Sequence, residues 1–485
     1  MTQVIVIGGG FAGLSAAVAL AARGLRPTLL EARPHLGGRA YSFTDAATGQ
    51  QVDNGQHAMM GCYAHALSFL DRIGAGGKIA RQTNLRVAMT HPIHGEGVIA
   101  AAPLPGPLHM LGGVLGYRLL AARERWQALL GGLRILHMHR RRDARLAAST
   151  VAELLNQVGQ SANAQAAFWN PLAIATLNET PARAAAAPFA AVLARAFFGT
   201  RRDSQFVLPR VGLSDLYTGD ARRFIESRGG RIELHAAVDG LAVHDGRIAA
   251  VSLRDGRRVA ADAVVAAVPP RALCSFLPEG LRLNPPFRAL EAFAGSPIVS
   301  VHLWLDRPVL AHVFLGMIGT TTQWIFNRTR LWRGAPGEKA SRRRHPVEGG
   351  APSPRTVEGG APSPPGEWGG VRGQCLSAAI SAGRALVSHE NAQIAATVMD
   401  ELRAVVPAAR AAAVLRSVVV KEKDATISNT PAVERMRPPP QTPIANLLLA
   451  GDWTATGLPP TIESAVASGD RAAALLVERA RGGPL

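Results

Sequence analysis

Near the start of the chain, Gly8-Gly9-Gly10-Phe11-Ala12-Gly13 sets glycine in a Gly-x-Gly-x-x-Gly run. The chemistry of such a run is the cradling of phosphate. Gly8 permits a tight turn, Gly10 lets backbone approach a pyrophosphate, and Gly13 lets a helix pack closely on a strand. The N-terminus of that helix would stabilise phosphate charge. Glu31 stands 18 residues beyond Gly13, where a carboxylate accepts a ribose hydroxyl. It would repel a 2′-phosphate, which disfavours NADP here. The run alone leaves NAD and FAD both open. Arg33-Pro34-His35-Leu36-Gly37-Gly38-Arg39 follows; its glycine pair allows close approach of a flat or phosphorylated ligand, and Arg39 can pair with phosphate. Polar Asp53-Asn54-Gly55-Gln56-His57 then precedes apolar Ala58-Met59-Met60. Gln56 or His57 could hydrogen-bond a cofactor or protonate a leaving hydroxyl. The plain alternative for His57 is a satisfied turn histidine, and Asp53 reads as an Asx turn ahead of Gly55. No Ser/His/Asp arrangement, no His-Glu-x-x-His motif and no metal-ligand cluster is present in the sequence.

The elements that must position these residues are legible from apolar runs. Val4–Ile7 reads as a buried parallel strand, Leu14–Arg23 as a helix ending at Gly24, and Pro27–Glu31 as a second strand. That is a βαβ opening. Asn446–Ala450 repeats the buried-strand pattern, leads into Gly451-Asp452, and precedes a helix from about Thr461 to Glu478. In between, Ala221–Arg228 reads as helix. Val238–Leu253 reads as β structure turning at Asp245-Gly246, and Ala263–Val268 as a strand stopped by Pro269-Pro270. Arg123–His139 carries Trp126, Leu129, Leu130, Leu133 and Leu136 at helical spacing. The expectation is a core-facing helix with a solvated arginine-rich end; the alternative is a membrane-surface element. Trp169 and Trp324 are read as tunnel lining or ordinary core, and Asn178 and Glu179 as capping residues.

Composition bounds the function. Of 485 residues, 47% are hydrophobic, which suffices for a large core and excludes global disorder. Three widely spaced cysteines, Cys62, Cys274 and Cys375, exclude a disulfide framework and a cysteine zinc site. The net charge of +18 favours anionic partners, while only 5% aromatic residues argues against nucleic acid. Residues 1–7 lead directly into a strand without a basic leader, and no apolar run of 18 residues is present. The expected location is cytoplasmic, with peripheral contact on the inner membrane face through the Leu104–Arg145 region. Residues 333–373 repeat Val-Glu-Gly-Gly-Ala-Pro-Ser-Pro and read as a disordered insertion.

Leu449-Ala450-Gly451-Asp452 before a Pro459-Pro460-initiated helix resembles the flavin-binding closure of the amine oxidase and carotenoid desaturase superfamily. Val238 and Ala263–Pro269 are similar to its middle segment. A narrower likeness rests on Asp53–His57, Trp169-Asn170-Pro171-Leu172, Leu177–Pro181, Leu208–Gly212 and Gln323–Arg328. These resemble the squalene-associated FAD-dependent desaturases known as hydroxysqualene dehydroxylases. The resemblance implies an α/β fold: a discontinuous Rossmann-like FAD-binding domain (1–95, 205–295, 435–485) with an interleaved α+β substrate domain (96–204, 296–434). It implies FAD contacts at Gly8, Gly10, Phe11, Ala12, Gly13, Glu31, Ala32, Arg33, Gly38, Arg39, Gly55, Gln56, Val238, Gly451, Asp452, Thr461 and Ile462. It implies Gln56 and His57 as catalytic candidates, and reductive removal of a hydroxyl from hydroxysqualene or a similar polyisoprenoid. The electrons would come from NADPH or a separate reductase. An oxidative polyene desaturase is the alternative, an amine oxidase is disfavoured by the scarcity of tyrosines, and a non-catalytic flavoprotein scaffold is the remaining reading.

Overall fold

The computed structural model describes residues 3–332, 367–368 and 371–481. Most of the repeat insertion lies outside the described residues. A five-stranded parallel sheet forms the first layer, in the order Arg231–Glu233, Thr28–Leu30, Val4–Ile7, Ala263–Ala266, Leu447–Leu449. Its strands are short and almost wholly apolar, because both faces are covered. Phe11–Ala21, which is buried along its whole length, packs on one face beside the closing helix Ile462–Arg481. The other face carries an antiparallel hairpin, Val238–His244 with Arg247–Leu253, turning at Asp245 and Gly246. Apart from the pair Val4–Ile7 and Thr28–Leu30, neighbouring strands in this sheet come from distant segments of the chain.

The second layer is a seven-stranded mixed sheet built around the long strand Gly295–Leu305. That strand pairs antiparallel with Gln374–Ser381 on one side and Val414–Ile427 on the other. Trp324–Asn327, Phe314–Met317, Arg86–His91 and Gly95–Ala100 continue the order outward. The last two lie on either side of the expected boundary at residue 95. Arg86–His91 is held by parallel pairing to Phe314–Met317, a partner over 200 residues away, so it belongs to the substrate-side sheet. Helices of residues 109–198 cover this sheet and enclose an apolar cluster that includes Trp169, Phe189 and Phe326.

The helix Ala122–Arg140 departs in part from the expected core-facing arrangement. Leu129 packs against the core and Leu136 is buried with Ile135 and Met138, but Trp126, Leu130 and Leu133 point out, each more than half exposed. Its small residues point in. Gly131 lies against Gln160 and Gly132 against Phe198 and Trp169, so closely that added Cβ atoms would fall 2.4 and 3.4 Å from them. Among the described residues, six of eleven exposed large apolar side chains lie between Leu104 and Leu133. No helix among the described residues is long and apolar enough to cross a membrane.

Candidate active site

A cavity of about 700 Å³ runs between the two sheets. One end lies at the carboxyl ends of the parallel strands, where ligands bind in open α/β sheets. There Ile7 leads into Gly8, Leu30 into Glu31, Ala266 into Ala267, and Leu449 into the Gly451-Asp452 turn, and all these turns line the cavity. Gly8 has φ +105°, a conformation that favours glycine. A Cβ on Gly13 would sit 1.9 Å from the Gly8 carbonyl oxygen, so helix and strand could not close over any other residue. Gly13 packs and does not line the cavity. Gly38 approaches Gly10 to 3.0 Å from its own would-be Cβ, leaving two bare backbones facing one space.

Of the residues expected at a cofactor, Gly8, Gly10, Phe11, Ala12, Glu31, Ala32, Arg33, Gly38, Arg39, Gly55, Gln56, Gly451, Asp452, Thr461 and Ile462 line this cavity. Val238 does not; it opens the hairpin strand Val238–His244, two residues after Ala236, whose N–H donates to the Glu31 carbonyl. The Glu31 carboxylate already accepts the backbone N–H groups of Gly9 (2.6 Å) and Arg33 (2.9 Å). A carboxylate has about four acceptor positions, so it can still take a hydroxyl. Arg39 is paired inside the protein: its guanidinium donates to Asp452 at 2.5 Å and to the Ala425 carbonyl at 3.2 Å. Sequence reasoning had assigned the two to a ligand separately. Their mutual bond instead pins the first glycine loops to the last turn of the chain.

The polar turn Asn54–His57 forms the middle of the wall. His57 Nδ1 lies 2.8 Å from the Gly55 carbonyl oxygen, which requires N–H at Nδ1 and leaves Nε2 as acceptor in the neutral ring. Burial pushes its pKa below the ordinary value, against smaller raising effects of the Gly55 carbonyl and Asp53. Gln56 donates to the His57 carbonyl at 3.3 Å, while its Oε1 is buried with no partner. Asp53 is not the expected Asx turn. Its Oδ1 accepts from Ser42 Oγ (2.7 Å) and Leu213 N (2.9 Å), tying three chain segments together.

Beyond the turn the wall is apolar: Met89, Phe168, Trp169, Phe206, Phe314 and Trp324 are among its residues. Trp169 is also core, its indole donating to Gln160 Oε1 at 2.7 Å. Asn178 ends the helix Asn170–Leu177 in the left-handed region (φ 49°) and also lines the cavity. Glu179 is fully buried; burial raises its pKa, but hydrogen bonds from Arg384 and Ser428 prevail and hold it below the ordinary value. Sequence reasoning missed Tyr217. Its ring stacks on Phe11 at 3.8 Å between centroids, and its hydroxyl shares a bond between the Gly37 and Ala40 carbonyls at 2.9 and 3.0 Å. It also missed Arg437, fully buried, which donates to the carbonyls of Leu458 and Asp452 and so braces the closing turn. Neither residue stands in a local motif.

Residues 11–477 match the family model for flavin-containing amine oxidoreductases. The chain belongs to that family. Over 98% of its length it is 29% identical to 98% of the hydroxysqualene dehydroxylase of Sinorhizobium fredii. It is 28% identical to the same enzyme of Rhodopseudomonas palustris, with 99% of each chain covered. The 15-cis-phytoene desaturase of Solanum lycopersicum is 23% identical, covering 98% of this chain and 78% of the plant protein. Among solved structures, an oxidoreductase from Methanosarcina mazei superposes with a TM-score of 0.69 at 16% identity, covering 98% of this chain and 100% of the other. Cyclohexylamine oxidase from Brevibacterium oxydans does so at 0.64 and 17% identity, covering 99% of each. These establish the fold. The protein is a FAD-dependent oxidoreductase, of the type that hydroxysqualene dehydroxylases and phytoene desaturases represent. The residues present fit the cofactor. Bare glycine backbone faces the cavity from two loops, the Glu31 carboxylate lines it, and Gln56 Oε1 is buried without a partner in the same wall.

Proposed function

We propose that this enzyme removes the hydroxyl of hydroxysqualene, or a closely similar polyisoprenyl alcohol, reductively to give squalene for hopanoid synthesis. The observation that carries this reading is the cavity itself. A glycine-lined end of the dinucleotide type is continuous with a long apolar end, and the junction holds a histidine and a glutamine. The relatives named hydroxysqualene dehydroxylase support the choice of substrate. An apolar wall suits a C30 hydrocarbon chain, whose burial is favoured by about 0.8 kcal/mol per CH₂.

Bound FAD supplies the hydride. Gly8, Gly10 and the N-terminus of Phe11–Ala21 would hold the pyrophosphate, and Glu31 the ribose. The N-terminal end of Ile462–Arg481 would favour negative charge at the flavin's pyrimidine edge. The one acid of its first turn, Glu463, is occupied by the N–H groups of His65 and Ala66 and by Arg195, so it does not oppose that charge. In the substrate, the C–O bond breaks as its oxygen takes a proton and leaves as water; hydride then reaches the same carbon. Gln56 Oε1 accepts the substrate hydroxyl and orients it. His57, neutral at rest, must first take up a proton at Nε2 to act as acid. The apolar wall keeps other water from the allylic cation.

The reading extends to the membrane, where such substrates dissolve. Leu111 and Leu133 both line the cavity and stand out to solvent. They therefore mark an apolar mouth, flanked by Trp126, Leu130 and exposed Arg118, Arg123, Arg134 and Arg140. This face would rest on an anionic bilayer surface. NADPH or a separate reductase would restore the reduced flavin.

The test is a single turnover without oxygen. Enzyme with photoreduced flavin is mixed with hydroxysqualene, and oxidised flavin should reappear with an equal amount of squalene. If reduced flavin persists, while phytoene or squalene bleaches the oxidised enzyme, the chemistry runs in the desaturase direction.

A further inference from the structure

Behind the Asn54–His57 wall, the long strand Gly295–Leu305 presents alternate residues to opposite faces. Val299, Val301, Leu303 and Leu305 enter an aliphatic core. The other face carries Ile298, Ser300, His302 and Trp304, and it begins at the cavity, which Ile298 lines. Ser300 Oγ lies 3.2 Å from the position of a Cβ on Gly55, so the turn rests on this row. Ser377 stands opposite His302 on the neighbouring strand. Arg328, buried, reaches the Gln51 carbonyl and lies 3.9 Å from Cys375 Sγ. Asp53 sits over the same face.

Four of these residues carry buried polar side-chain atoms without partners, Asp53 Oδ2, Ser300 Oγ, Ser377 Oγ and Arg328 Nε, and the buried ring of His302 stands among them with the backbone of Asp53 beside it. Buried polar atoms in folded proteins are nearly always hydrogen-bonded. The set mixes donors and acceptors and forms no cluster able to hold a metal ion. Water, which gives and takes hydrogen bonds, suits such a mixed set. We propose that this row binds internal water, forming a proton relay that restores the proton of His57 at the cavity wall. The relay's role rests on the dehydroxylation reading; the water site does not.

The balance is simple. Each turnover removes one hydroxyl as water and consumes one proton and one hydride. His57 Nε2–H gives the proton to the leaving oxygen, and the neutral ring regains one that enters from solvent and is passed along water held by Asp53, Ser300, His302 and Ser377, each water receiving a proton as it gives one. The titratable and charged groups facing the row are Asp53 and His57 from the turn, His302 from the strand, Cys375 from one neighbouring strand, Glu422 and Arg416 (the latter paired with Asp45) from the other, and Arg328. Burial raises the Asp53 carboxyl above the ordinary carboxylate value, with Arg328 opposing. Ser300, His302 and Ser377 are positioning residues: they act through water and not on the substrate.

A high-resolution crystal structure of the FAD-loaded enzyme should show ordered water bonded to Ser300, His302 and Ser377. Side chains paired with one another and no water would overturn the proposal. Ser300→Ala with Ser377→Ala should slow the single turnover by about tenfold at neutral pH and move its pH profile. Flavin content and melting temperature should stay at wild-type values, and Ser300→Thr should restore the profile. Water in place but an unmoved profile would overturn the relay. Failure of the wild-type enzyme to turn over any polyprenyl alcohol would sink the dehydroxylation reading and the relay with it, while the crystallographic result would still decide the water site.

Discussion

Replacing Trp126, Leu130 and Leu133 together with serine should detach the enzyme from lipid while leaving its fold intact. Their exposures are 59%, 52% and 54%, so about half of each side chain is still available for burial. Complete burial of such a side chain stabilises by about 1.5–3 kcal/mol, so each would gain about 1 kcal/mol on entering a bilayer. Three give about 3 kcal/mol, on the order of a 100-fold fall in the partition coefficient. The folded state loses little, because these atoms do not pack in the core. The assay is flotation with vesicles of zwitterionic lipid alone and with anionic lipid added. The triple variant should remain at the bottom of the gradient with zwitterionic vesicles and bind anionic ones only at low salt, through the arginines. Its melting temperature should match the wild type. Co-flotation of variant and wild type at physiological salt would refute the assignment of this face.

Three further outcomes follow from the geometry. Gly13→Ala should give no folded flavoprotein, whereas Gly77→Ala, with nothing within 4 Å, should be tolerated; the flavin-to-protein ratio after gel filtration checks both. Tyr217→Phe should cost about 1 kcal/mol and loosen FAD, because the Gly37 and Ala40 carbonyls lose their donor; an unchanged melting temperature and flavin affinity would show that the stack on Phe11 suffices. Burial, and secondarily Arg328, push the His302 pKa down to about 3, so the unfolded chain binds a proton that the folded one refuses. Stability from this group is complete above about pH 6.5 and falls below it by up to about 1.4 kcal/mol per pH unit; denaturant titrations should show a shallower acid loss for His302→Phe.

The glycine turns were legible because their function is local: each needs a bare backbone within a few residues of a strand end. Gln56 and His57 were legible as an unusual polar patch, and the cavity wall includes both. The pairing of Arg39 with Asp452 was not, because the two are 413 residues apart and each has a plausible ligand of its own. Tyr217 and Arg437 act on carbonyl oxygens, which leave no mark in side-chain patterns. The exposed helix is the instructive case. Spacing shows which residues share a face but not whether that face looks inward. The cue was its counterpart: Ala128, Gly131 and Gly132 form a face small enough for close approach. His302 could be read only as one polar residue inside a strand, since Asp53 lies 249 residues away.

The parallel sheet also sets an order of events during synthesis. Its edge strand, Leu447–Leu449, and the carboxylate of Asp452 emerge in the last tenth of the chain, after every other strand of that sheet. Until then Arg39 lacks its counter-charge, and the glycine loops face a pocket with one wall missing. A nascent chain holds the helix Ala122–Arg140 long before it can retain a nucleotide. The apolar mouth is therefore made first, and the redox centre last.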